Sequence, residues 1–106
     1  MGKTDLQLTY ISTAIRQVTL DRDVARQLLG PQRAGIYQGL IADLREADFL
    51  GEVPGEWHVQ DTDKGLLVSF DIGDRTALVV EPLDKDWQSA HRVLLRKINR
   101  DQEDVV

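Results

Sequence analysis

Arg92, Arg96 and Arg100 recur every four residues near the end of the chain, with Lys97 beside them. On a helix this spacing aligns three guanidinium groups in one row, a surface suited to nucleic-acid phosphates or another partner. Like charges so placed cost roughly a few tenths of a kcal/mol per pair in an isolated helix. A plainer alternative is that the cations complement a helix C-terminus and that Asp101, Glu103 and Asp104 neutralise them. Other side chains offer less. The two histidines, His58 and His91, are far apart in sequence, and there is no cysteine to serve as nucleophile or metal ligand. Asp61-Thr62-Asp63-Lys64-Gly65 begins like a calcium loop but lacks the later ligands, so it reads as a solvated turn. No G-x-S-x-G elbow or phosphate-binding glycine loop occurs, and Ser12, Ser69 and Ser89 have no evident base partner. The expectation is a chain without catalytic residues, metal or cofactor.

Charge sharpens the contrast. The chain carries a net −5 with a pI near 4.9, which argues against a nucleic-acid binder, since phosphate contacts need Lys and Arg. Between Lys85 and Arg100, however, five basic residues face one acid, a net of +4, leaving −9 for the remainder. The 106 residues suit one domain, 1–106, with a core that needs no disulfides or metal. Apolar runs are too short to span a membrane, and MGKTDLQ lacks the apolar core of a secretory signal. Position six is Leu where myristoylation wants Ser or Thr. These features predict a cytoplasmic protein with no membrane partner.

The elements that must position these residues follow from periodicity. Leu6, Leu8 and Tyr10 alternate like a strand, whereas Ile11, Ile15 and Val18 follow helical spacing, so a helix is expected in the second half of Asp5 to Val18. Thr19 or Asp21 can cap a helix carrying Val24, Ala25, Leu28 and Leu29. Gly30 and Pro31 then mark a tight corner between two helices. The second helix, roughly Pro31 to Phe49, has Ile36, Leu40 and Leu44 in one row and Tyr37 and Ile41 in another. Gly35 and Gly39 each cost about 1 kcal/mol there. They imply either a neighbouring helix packed close or the close approach of something external.

Beyond Gly51 the period becomes two. Trp57 to Gln60 reads as a strand, and Leu66–Ile72 with Arg75–Glu81 as a hairpin closed by Gly73-Asp74. That turn sets Val68 opposite Val79 and Phe70 opposite Ala77. Both faces of the hairpin are apolar, so cover is expected on both sides, from a helix or a second subunit. Asp84 or Asp86 can cap a last helix reaching Asn99, with Trp87, Ala90, Leu94 and Ile98 inward and a frayed acidic tail after it. The fold expected is α+β: N-terminal helices, a three-stranded antiparallel β-sheet, and a C-terminal helix packed on the sheet.

The segment "LDRDVARQLLGPQRAGIYQGLIADLREADFL", followed by "GEVPGEWHVQDTDKGLLVSF", resembles a winged helix-turn-helix domain: a short helix, a turn at Gly, a recognition helix, then the wing. The resemblance implies that Gln32, Arg33, Ala34 and Gln38 face the DNA major groove, with Lys64 at the wing tip. It implies a regulator that binds DNA or a component of the transcription machinery, with Arg92, Arg96 and Arg100 as further contacts.

The order from "VTLDRDVARQLLGPQRAGIYQGLIADL" to "LLVSFDIGDRTALVVEPLDKDWQSAHRVLL" also resembles the RelE-type ribonuclease toxins. That resemblance implies that Arg75, Lys85 and His91 bind phosphate and assist proton transfer. The segment Gly65–Phe70 lacks the basic residue usual there, which points to a degenerate relative. A third reading is a non-enzymatic protein-interaction module, such as a phage- or plasmid-encoded inhibitor, acting through the acidic face.

Overall fold

Leu8 and Tyr10 do alternate as a strand, β1 (Gln7–Tyr10), before the chain turns into helix α1 (Thr13–Leu20). The computed structural model describes residues 6–55, 57–63, 65–101 and 103–106. Ser12 caps α1 by accepting from the Ile15 N–H, and Ile15 and Val18 form its buried side. Asp21 caps α2 (Arg22–Leu29), taking the N–H groups of Asp23 and Val24. Gly30 holds φ at +83° and Pro31 opens α3 (Pro31–Glu46), as the Gly–Pro corner predicts. Ala34, Tyr37, Leu40, Ile41 and Leu44 give α3 its buried stripe, whereas Ile36 stands 44% exposed. A 3₁₀ turn (Leu50–Glu52) leads to the sheet.

The sheet is larger than the three antiparallel strands expected, and no C-terminal helix covers it. Strands β2 (Trp57–Thr62), β3 (Gly65–Gly73), β4 (Thr76–Pro82), β5 (Arg92–Arg100) and β6 (Glu103–Asp104) join β1 in a six-stranded mixed sheet. The order is β1-β5-β4-β3-β2, and β6 also pairs with β5. β1 runs parallel to β5, and every other pairing is antiparallel. The tail expected to fray therefore forms a strand.

The expected last helix is a loop and a strand, and a β-bulge explains the misreading. Val79 pairs with Lys97 but Val80 with Leu95, so Arg96 is an extra residue in β5. The inward residues are Val93, Leu95 and Ile98, and the gap of three between the last two imitates helical spacing. Asp84 and Asp86 do cap backbone N–H groups, but those of a loop: Asp84 accepts from His91 and Arg92, Asp86 from Gln88.

The hairpin register also differs from expectation. Gly73 pairs with Thr76, so the turn is Asp74-Arg75, both at positive φ (52° and 58°), and Ile72 bulges out of the ladder. Val68 consequently faces Val80 and Phe70 faces Leu78. These side chains, with Val93, Leu95 and Ile98, share one core with the buried sides of the three helices. The helices thus cover one face of the sheet. The other carries Leu67, Ser69, Val79, Glu81, Leu94 and Lys97, by alternation.

Candidate functional site

The bulge in β5 brings two successive cations to the helix-free face. Lys97 lies there by its pairing with Val79, and Arg96 reaches across to donate to Glu81 of β4 at 2.6 Å. Lys97 lies 3.5 Å from Asp104 of β6. Ile11, Leu67 and Val106 add apolar walls to an open depression of about 530 Å³. Both cations there face a carboxylate, so the depression is zwitterionic rather than positive.

The arginine row is broken up by the same bulge. Arg92 begins β5 and bonds Asp84 at 3.1 Å. Arg100, opposite Thr76, lies on the helix-bearing side, because the extra residue inverts the alternation beyond Arg96. No helix carries these three arginines, and they form no single stripe.

The other expected binding residues are also dispersed. Gln32 and Arg33 flank a depression of about 570 Å³ at the start of α3, with Ile36 and Gly73, and Arg33 is bonded to Asp74 at 2.9 Å. Gln38 lines a different groove of about 220 Å³, with Thr19, Arg22 and Arg45. Ala34, expected to face DNA, is buried in the core. Lys64 lies outside the described residues. Arg75 bonds Asp101 at one end of β4, while Lys85 and His91 lie beyond the other, about 20 Å of strand away. The His91 Nδ1 is 3.1 Å from the Asp48 carbonyl, and its ring packs on Phe49 at 4.7 Å.

Two groups have shifted acidities, for structural reasons. Burial pushes the Tyr37 hydroxyl up to about 12. The His91 N–H, followed by the Arg92 guanidinium, holds the Asp84 carboxyl below its ordinary value. Among the described residues no three His, Asp or Glu side chains are arranged to hold a metal ion. No described helix is long and apolar enough to cross a membrane.

Gly35 and Gly39 pack against nothing: a Cβ on either would enter open space. The neighbouring helix does not account for them. A second surface missed in the sequence is the outer side of β2, the last strand in the sheet order. Val59 there is 41% exposed, and Trp57 packs edge-on against Trp87 at 4.7 Å. Close by in sequence, Asp43, Glu46 and Glu52 surround a depression of about 270 Å³ whose wall includes Pro54. Neighbour order in a sheet is set by pairing between distant segments, so no local pattern could mark β2 as the edge.

The chain matches no family model, no curated protein and no solved structure among those compared with it.

Proposed function

We propose that the chain is a non-enzymatic protein-interaction module that engages its partner through acidic surface. The observation that carries this reading is the pairing of five of its cations, among them three of the four cations of β5. Arg33, Arg75, Arg92, Arg96 and Lys97 each bond a carboxylate, from Asp74, Asp101, Asp84, Glu81 and Asp104 respectively. A phosphate backbone would have to compete with a resident carboxylate at each of them, in a chain of net charge −5. Among the described residues Glu52, Asp61 and Asp63 enter no such pair, although Asp63 shares a depression with Arg96 and Lys97. The dispersal of Gln32, Arg33, Gln38, Arg92, Arg96 and Arg100 further favours a protein partner over a DNA groove, which needs its contacts along one element.

Titration against duplex DNA and against poly-lysine, at low and moderate salt, tests the reading. The expected result is salt-sensitive binding of poly-lysine and none of DNA. Tight DNA binding that weakens steeply with salt would overturn it in favour of a DNA-binding regulator.

A further inference from the structure

The free edge of β2 has a chemistry that the interaction reading, on which this inference rests, does not specify. Thr62 and Gly65 close a two-residue hairpin, and such a closing pair exchanges both hydrogen bonds. Alternation along β2 then turns the N–H and C=O groups of Trp57, Val59 and Asp61 outward. A row of unpaired backbone groups is a template for another strand, and proteins usually blunt it with Lys, Pro, a bulge or a short strand. Trp57–Thr62 is free of Lys and Pro and pairs with β3 without a register shift, and Asp61 is its one charged residue. The opposite margin of the sheet is different, being divided between the four residues of β1 and the two of β6.

We propose that the outer edge of β2 receives an extended, basic peptide segment as a further strand of the sheet. Backbone pairing supplies the affinity and flanking side chains the selectivity. Val59 offers an exposed aliphatic contact beside the backbone, and the Trp57–Trp87 pair braces one end. The charge selects the occupant. The described charged residues from Glu52 to Asp63 are Glu52, Asp61 and Asp63, all acidic, with His58 the one other titratable group. A second copy pairing antiparallel about Val59 would set Asp61 against Trp57 of the other copy, with no cation beside it, and join two chains of net −5. With its Lys or Arg residues on the face of Val59 and Asp61, an alternating basic and aliphatic segment sets a cation beside Asp61 and lays an aliphatic side-chain stem along Val59.

The probe is the capped heptapeptide Lys-Val-Lys-Val-Lys-Val-Lys, titrated into the full chain by amide NMR and calorimetry. Shifts should centre on β2, and the amides of Trp57, Val59 and Asp61 should gain protection from hydrogen exchange. Val59→Pro deletes an outward donor while leaving the β3 ladder intact, and Pro is tolerated on such an edge position. It should weaken binding at least tenfold with the native spectrum retained. Asp61→Lys, which asks nothing of the backbone, should do likewise. The same peptide with its central residue changed to Pro keeps its charge and should bind far more weakly.

Equal binding by the Pro-containing peptide, or shifts centred on Asp43 and Glu52, would sink the edge site while leaving the interaction reading in place. Binding of DNA but not of the peptide would remove both. A dimer in sedimentation that Val59→Pro dissolves, with no peptide effect, would replace the basic peptide by a second copy.

Discussion

The Tyr37 hydroxyl lies 2.6 Å from Thr19 Oγ1, whose single hydrogen is donated to the Ile15 carbonyl at 2.7 Å. Tyr37 must therefore be the donor, and the three groups form a relay pinning α3 to α1. Tyr37→Phe should cost about 1 kcal/mol, read from chemical denaturation. The pH dependence has a definite sign. Unfolded Tyr ionises near 10 and buried Tyr37 near 12, so between these values the unfolded state loses its proton first. Stability should fall by roughly 2–3 kcal/mol as pH rises from 10 through 12. In Tyr37→Phe that part of the alkaline loss should vanish.

Glycines make a second comparison at this scale. A Cβ at Gly51 would lie 2.8 Å from the Gln88 carbonyl oxygen, so Gly51→Ala must displace the β4–β5 loop, at about 1–3 kcal/mol. Gly39→Ala, pointing into open space within α3, should instead stabilise by about 1 kcal/mol. Thermal melts of the two variants should move in opposite directions.

Among elements, the β4–β5 loop is held by two carboxylates, Asp86 accepting from the Gln88 N–H and Asp84 making the larger set of bonds. Asp84 takes the N–H groups of His91 and Arg92 and the Arg92 guanidinium, closing the loop before β5 begins. Asp84→Asn should loosen residues 84–91, seen as faster hydrogen exchange at the His91 and Arg92 amides, while the sheet persists. Because the folded carboxyl lies below its ordinary value, its contribution is present above the ordinary carboxylate range and disappears as pH falls through the lowered one. Wild type should therefore show the Asp84→Asn exchange pattern in acid.

This region also shows what local pattern can convey. The Gly30-Pro31 corner and the buried stripe of α3 are legible because backbone freedom and helical period are properties of neighbours in sequence. β5 is not, since Leu94 and Ile98, four apart as on a helix, lie on opposite faces of the sheet, and the inserted residue sets the inward Leu95 and Ile98 three apart. The arginine row looked continuous for the same reason. Its carboxylate partners are no easier to foresee: Arg96 meets Glu81 across 15 residues, and Arg33 meets Asp74 across 41.

At the level of the whole molecule, charge differs between the layers: the cations Arg92, Arg96 and Lys97 of β5 are paired with carboxylates, whereas Arg16, Arg22, Arg26 and Arg45 of the helices bond none among the described residues. The two-sidedness expected from the +4 segment is largely cancelled, because Arg92, Arg96 and Lys97 draw Asp84, Glu81 and Asp104 to them. Individually such exposed pairs contribute little to stability. Their effect is on what can approach the sheet: anions meet occupied cations there, and cations meet Glu52 and Asp61, which bond no described cation. No described helix covers the second face of the hairpin, where apolar Leu67, Val79 and Leu94 lie among Ser69, Glu81 and Lys97.

The parallel pairing of β1 with β5 has a consequence for how the chain is made. Thr9 donates to the Val93 carbonyl across 84 residues. Synthesis delivers β1 first and its sole neighbour in the sheet order near the end, so β1 must wait while nearly everything else emerges. Leu8 and Tyr10 stay without their strand partner throughout, and closing so long a loop is slow. The growing chain is thus exposed to mispairing until β5 appears, and that late strand joins the rest of the sheet to the first.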